Sequence, residues 1–194
     1  MLDSGNIVDI LSDLKHRVYP RPFERLALAG KRELTGVEIG VFEGKHALSL
    51  LKFSDTKKLY LIDPYELYDD YTEGIKHYGV DQPTLNQAKI TAHQNLKGFS
   101  DKVVWVEKYS ADAISAVNER LDYVYIDGNH QENYVMTDIL SFVPLIKAGG
   151  VIGGHDFYNG FERSHDGVVK SVSQYAIENK LPLQVELPDW WIQL

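Results

Sequence analysis

Glu38 stands in the middle of T-G-V-E-I-G-V-F-E-G-K-H-A-L-S-L, residues 35–50, where Val37, Ile39 and Val41 carry the apolar pattern of a buried strand. An unpaired carboxylate is costly in such a place, so the residue demands a cation. The turn that follows contains Gly40, which permits a sharp reversal, and Gly44, which lets a ligand or a helix approach closely. Behind them, the N-terminus of a helix offers free N–H groups to an anion. A dinucleotide-binding turn needs G-x-G-x-x-G, and Phe42 occupies the place of its central glycine, where a pyrophosphate would meet a bulky side chain. A smaller anionic group, such as a carboxylate, suits the turn better. Asp63 closes the run K-L-Y-L-I-D, where an acid either accepts hydrogen bonds from both hydroxyls of a ribose or serves as a turn residue. Beside the glycine turn, the ribose reading prevails. An acid for an ammonium, a turn for a carboxylate and an acid for a ribose together fit an amino-acid nucleoside.

These residues need strands to aim them. From Thr35 onward strand-like runs alternate with helical patterns: V-E-I-G-V, then residues 58–63, 102–107, 122–127 and 150–156. The helices between them are expected at about 45–52, 84–97, 111–119 and 135–146, with another near 168–179. Such alternation predicts a doubly wound, mostly parallel α/β sheet of seven strands, with ligands at the carboxyl ends of the strands. L-P-L-Q-V-E-L and D-W-W-I-Q-L are separated only by Pro188, too short a link for a crossover, so they should form a C-terminal antiparallel hairpin. Trp190 and Trp191 alternate across the last strand, one facing inward and the other lining a rim. A helix is expected from Ser4 to Val18 and a short one from Phe23 to Ala29, forming an N-terminal cap over residues 1–33 ahead of a core at 34–194. The cap covers an edge or face of the sheet, with a dimer contact as the alternative. Residues 65–82, rich in Tyr and acids, form an irregular loop, read as a lid or as a solvated insertion.

The order and spacing of these motifs resemble the class I S-adenosylmethionine-dependent methyltransferases. V-E-I-G-V-F-E-G matches that fold's first motif as E-x-G-x-x-x-G, and L-Y-L-I-D-P-Y-E is similar to its second. The resemblance implies that Glu38 faces the methionine moiety and that Gly40, Phe42, Glu43 and Gly44 form the cofactor turn. Asp63 would hold the ribose, and Ser110, Ala111 and Asp112 would lie beside the adenine, with Asp127 closing the site. Ser110 reads equally as the N-cap of the helix that follows.

I-D-G-N-H-Q-E-N-Y and A-G-G-V-I-G-G-H-D-F resemble the small-molecule O-methyltransferases of the macrocin type and, more distantly, catechol O-methyltransferase. That likeness implies a divalent metal held by Asp127, His155 and Asp156, able to lower the pKa of a substrate hydroxyl. Mg²⁺ prefers oxygen, whereas Mn²⁺ or Zn²⁺ tolerates an imidazole, and His155 reads alternatively as a base in a metal-free site. His130 falls where catechol-type relatives place a catalytic lysine, so as a neutral imidazole it would take the substrate proton; a loop histidine bonded to backbone is the plainer alternative. Asp127, His130 and His155 are thus the candidate catalytic residues. His46, His77, His93 and His165 read as surface or helix-face residues.

The bulk properties agree. The chain has 194 residues, 44% hydrophobic and 25% charged, the size and make-up of one globular domain. Its net charge of -8 argues against a nucleic-acid partner, as does the lack of N-P-P-Y or D-P-P-Y after the fourth strand, and leaves a small hydroxylated molecule as the expected acceptor. Without cysteine there are no disulfides and no thiolate metal sites. Neither a signal peptide nor a membrane-spanning run is visible, so a cytoplasmic location is expected and no membrane partner, with homo-oligomerisation left open. Two competing functions remain: a nicotinamide-dependent oxidoreductase, opposed by Phe42, and a protein that binds S-adenosylmethionine without turning it over.

Overall fold

A computed structural model of the chain describes residues 18–68, 80–158 and 166–194. Seven strands form one sheet: β1 (Leu34–Ile39), β2 (Thr56–Ile62), β3 (Val103–Val106), β4 (Leu121–Ile126), β5 (Ile146–Gly154), β6 (Leu183–Glu186) and β7 (Asp189–Gln193). Their order is β3-β2-β1-β4-β5-β7-β6. β1 to β5 run parallel, while β7 is antiparallel to both β5 and β6. The sheet, its parallel core and the antiparallel hairpin are as the sequence predicts.

Every residue of β1 is buried, as a central parallel strand covered on both faces requires. One face carries α1 (Lys45–Phe53), α2 (Gln82–Asn95) and a short π-helical turn at Phe23–Ala27, packed through Phe23, Leu50, Ala92, Leu96 and Tyr123. The other carries α3 (Ser110–Ala113), α4 (Glu132–Phe142) and α5 (Asp166–Asn179), packed through Val135, Ile139, Phe142 and Val172. Trp190 and Trp191 belong one to each core and both are buried, so neither lines a rim. Strand alternation sends them to opposite faces, and both faces are covered.

The differences from expectation lie at element ends. The helix expected at 111–119 stops at Ala113 and continues as a 3-10 turn over Ile114–Ala116. That expected at 135–146 starts earlier, at Glu132, and ends at Phe142, because a 3-10 turn over Val143–Leu145 with Pro144 in its first turn takes over and β5 begins at Ile146. β5 is longer than expected because a bulge around Gly149, with φ 78°, absorbs the glycines before Val151. The segment from Phe23 is the π-helical turn, and Gly30 (φ 72°) follows it. Apart from Val18, the Ser4–Val18 helix lies outside the described residues, as do most of the 65–82 loop, His77 and His165.

Gly36 in β1 shows how tightly the sheet is filled. A Cβ there would lie 2.1 Å from the ring of Tyr123, which is fully buried and holds the Thr56 hydroxyl at 2.9 Å. The ring has nowhere to go. Gly36→Ala should therefore lose about 1–3 kcal/mol of stability, read as a lower urea midpoint with an unchanged slope.

Candidate active site

The ends of β1, β2 and β4 line one cavity, and the end of β5 is bonded to that of β4 beside it. The ladder continues past them: Gly40 N donates to Ile62 O (2.9 Å), Asp127 N to Ile39 O (2.7 Å) and His155 N to Ile126 O (3.0 Å). The residues just beyond β1, β2, β4 and β5 are thereby held in register where the strand order reverses, between β1 and β4. A cavity of about 500 Å³ opens there, lined by Glu38, Gly40, Phe42, Glu43, Asp63, Ser110 and Asp127 among others. Its size suits a nucleoside-sized ligand. Glu38 and Asp63 share this cavity, as the sequence reading requires.

Glu38 has a protein cation. Its Oε1 lies 3.0 Å from Nδ1 of His46, in the first turn of α1. On the far side of the imidazole, Nε2 lies 3.3 Å from Glu24 Oε1, an ion-pair contact rather than an aligned hydrogen bond. All three side chains are buried. Burial alone would lower the pKa of His46, but the two carboxylates outweigh it and push it up to about 9, so the imidazole is charged at neutral pH. Burial pushes Glu38 up against the downward pull of His46, and Glu24 is held below the usual range because His46 outweighs its burial. Glu38 Oε2 is left buried without a hydrogen-bond partner, and Glu38 is a wall of the cavity. His46 is thus no helix-face residue. Nothing in the spacing marked it, because its partners come from β1 and from the turn at Phe23–Ala27.

Asp63 braces the turn as well as facing the cavity. Its Oδ2 accepts from the backbone of Val41 and Phe42, both at 2.9 Å, and its Oδ1 from Tyr65 N at 2.8 Å. This supports Phe42, which sits at φ 47° with an exposed side chain. The glycines do backbone work: a Cβ on Gly40 (φ 85°) would fall 2.1 Å from Asp127 O, and one on Gly44 would press on Ala92 and Leu96 at 3.2–3.3 Å. Gly44 therefore admits a helix, not a ligand.

Ser110 is the first residue of α3, not its cap; the cap position is Tyr109, whose side chain makes no capping bond to the helix. Ser110 lines the cavity, whereas Ala111 and Asp112 are exposed on α3 and are not among its lining residues. Ser110 instead acts on Asp138 of α4, an acid that the sequence reading missed because it lies inside an amphipathic helix. Burial pushes the Asp138 carboxyl up to about 7, only partly opposed by Ser110.

At the opposite end, Asp127, His130 and Asp156 bring one ligand atom each within 4.8 Å of one another. His130 Nε2 is 2.9 Å from Asp156 Oδ2 and 3.9 Å from Asp127 Oδ1. The expected metal set had His155 in place of His130. His155 Nδ1 lies 3.0 Å from Asp156 and 3.8 Å from Asp127, so it flanks the group that could hold an ion. Asp156 is held at φ 59° with Tyr158 donating to its Oδ1 at 2.8 Å. Burial lowers the pKa of His130, but the two acids dominate and raise it to about 9. Beside these two acids the charged imidazolium is favoured at neutral pH, in place of the neutral imidazole expected of a base.

Arg21 was also missed. It lines the cavity, donates to Asp189 Oδ1 at 2.7 Å and reaches Asp127 at 3.8 Å. Asp189 is fully buried and also accepts from Tyr125 OH (3.0 Å) and Phe23 N (3.2 Å).

Comparison with known proteins agrees with this geometry. The chain belongs to the methyltransferase domain family, whose pattern matches residues 37–157. Its fold is that of the class I S-adenosylmethionine-dependent methyltransferases. A Staphylococcus aureus structure provisionally assigned as a caffeoyl-CoA O-methyltransferase superposes with a TM-score of 0.66 at 15% identity, over 100% of this chain and 93% of the other. The calicheamicin methyltransferase CalS11 gives 0.60 at 12% identity, over 99% and 80%. The mimivirus protein R132 is 28% identical over 132 residues, 66% of this chain and 53% of that one, so the chain spans about half the length of this curated relative. No helix among the described residues is long and apolar enough to cross a membrane.

The burial of Asp138 has a measurable cost. Its carboxyl stays protonated in the folded chain up to about pH 7 but ionises near 3.8 when exposed, so the folded state binds the extra proton between these values. Stability attributable to this group therefore falls as pH rises from about 4 to about 7 and is flat above. Asp138→Asn should raise the melting temperature more at pH 8 than at pH 5, by roughly 5 °C or more, in paired thermal melts.

Proposed function

We propose that the protein binds S-adenosylmethionine and transfers its methyl group to a hydroxyl of a small molecule. The observation that carries this reading is the pair of acids that line one cavity: Glu38 with a buried oxygen lacking a partner, and Asp63 just after β2. An orphaned carboxylate oxygen is costly until a donor reaches it, and the ammonium of an amino acid is such a donor. Asp63 spends three contacts on backbone N–H groups, which leaves lone-pair capacity for a ribose hydroxyl. The bound cofactor would supply a methyl group already activated on sulfur. The chain then needs no nucleophile of its own; its task is to align the acceptor, exclude water and manage one proton.

We assign that last task to Asp127, His130 and Asp156, whose ligand atoms lie within 4.8 Å of one another. Their mixed oxygen and nitrogen donors fit Mn²⁺ or Zn²⁺ better than Mg²⁺, and such an ion would lower the pKa of a hydroxyl brought to it. A cation would compete with the proton on His130, because only a neutral imidazole is a ligand. The O-methyltransferase names of the structural neighbours support a hydroxyl as the accepting group, and the net charge of -8 supports a small acceptor rather than a nucleic acid.

Calorimetry should find one S-adenosylhomocysteine site per chain. Asp63→Ala should weaken it at least about tenfold, the loss expected when a hydrogen bond to a charged group is removed. No binding by the intact chain would end the cofactor reading. For the metal, Mn²⁺ titrated in the same way should bind the wild type and not Asp156→Ala; a wild type indifferent to Mn²⁺, Zn²⁺ and Mg²⁺ would reject the ion.

A further inference from the structure

The buried chain Glu24–His46–Glu38 has more parts than cofactor binding requires. A glutamate at a strand end can meet an ammonium by itself, yet here a charged histidine and a second acid stand behind it. The imidazole sits in the first turn of α1, where the helix dipole already repels a cation. Two carboxylates hold it there, at 3.0 and 3.3 Å, with the ring of Tyr125 beside it at a centroid distance of 3.9 Å. Glu24 is itself fixed, since Arg21 N donates to its Oε2 at 2.8 Å. The outcome is geometric: Nδ1–H engages Glu38 Oε1 and leaves Oε2 as an acceptor without a hydrogen-bond partner in the cavity wall.

Resting on the cofactor reading above, we infer that His46 and Glu24 are positioning residues that aim Glu38 Oε2 at the amino group of the cofactor's amino-acid end, which makes the turn at Phe23–Ala27 part of the binding site. Neither touches the ligand. His46 orients the carboxylate and favours its ionised form against burial, and Glu24 keeps His46 in place and charged. The chain thereby selects ligands that carry an amino group over the same nucleoside without one. It also ties that selectivity to the docking of a segment that precedes β1.

The test uses two ligands that differ only at that end: S-adenosylhomocysteine, and 5′-methylthioadenosine, which keeps the nucleoside and sulfur but has no amino-acid end. Each is titrated calorimetrically into the wild type, His46→Gln, Glu24→Gln, Glu38→Gln and the double variant His46→Gln/Glu38→Gln. S-adenosylhomocysteine should bind the wild type far more tightly than 5′-methylthioadenosine. Each single variant should weaken S-adenosylhomocysteine about tenfold and leave 5′-methylthioadenosine within about twofold. The double variant should be no weaker than Glu38→Gln alone, because His46 acts only through Glu38. A merely structural effect would weaken both ligands alike, and that result overturns the inference, as does an unchanged S-adenosylhomocysteine affinity. Nitrogen NMR of His46 in the wild type needs no variant: S-adenosylhomocysteine should shift its signals and 5′-methylthioadenosine should not, and equal shifts count against the chain. A wild type that binds neither ligand fails the cofactor reading itself. One that binds both equally fails only the selectivity.

Discussion

A carboxylate buried in the middle of a parallel sheet is the constraint on which the rest of this structure depends. Glu38 is 1% exposed and flanked on both sides by apolar strand residues, so it survives only with a charged partner at hydrogen-bond distance. The partner, His46, is eight residues later and arrives because the turn through Gly40 and Gly44 folds α1 back over the end of β1. An imidazolium at a helix N-terminus is itself unfavourable, which brings in Glu24 from the turn ahead of β1. Each charge is tolerated because of the next, and the sequence of compensation ends where Glu24 meets the backbone of Arg21. Removing any member would strand a buried charge, a larger loss than the pairwise contact suggests.

A second chain of charges runs parallel to the first and shares its origin. Arg21 faces Asp189 and Asp127, and Asp189 in turn takes the Tyr125 hydroxyl and the Phe23 amide. Burial alone would lower the pKa of the guanidinium, but Tyr125, Asp189 and Asp127 overcome this and raise it. The ring of Tyr125 lies between the two chains, with His46 tilted against it and the Arg21 guanidinium 5.4 Å from its centroid. Residues 21–24 therefore carry one contact to each end of the cavity: Glu24 to the end near β1, Arg21 to the end near β4. A short stretch before the first strand behaves as part of the site, although all the recognisable motifs follow it.

How much of this was legible in the sequence divides by range. The alternation of strands and helices, the hairpin around Pro188 and the acids at 38, 63, 127 and 156 are visible because each depends on local pattern or on a strand end. Arg21, Glu24 and Asp138 were not, because their meaning lies in partners 22 to 168 residues away, or on another helix, that no spacing displays. His46 was misjudged for the same reason: at one step inside a helix it looks like a face residue until Glu24 is known to cover it. The choice between His130 and His155 turned on loop geometry after β4, where Asn129 Oδ1 accepts from Gln131 N at 3.0 Å and the loop holds His130 against Asp156. Sequence places both histidines near the same acids and cannot rank them.

The glycines join the two halves of the site. Gly40 was read as permitting a sharp turn, and the atom that a Cβ there would strike is the carbonyl of Asp127, at 2.1 Å. The turn after β1 and the exit of β4 thus run side by side there, and the Asp127 amide is bonded to Ile39 just before it. Any side chain at position 40 would push the two strand ends apart. It would move Asp127, and the cluster it forms with His130 and Asp156, away from the wall that carries Glu38. Methyl transfer depends on the separation between a bound cofactor and its acceptor, where an error of about 1 Å costs on the order of 100-fold in rate. One glycine with a positive φ therefore sets the distance between the end of the cavity that would hold the donor and the end that would activate the acceptor. Phe42, two residues on, is free to depart from the dinucleotide pattern because the turn's close approach has already been made elsewhere.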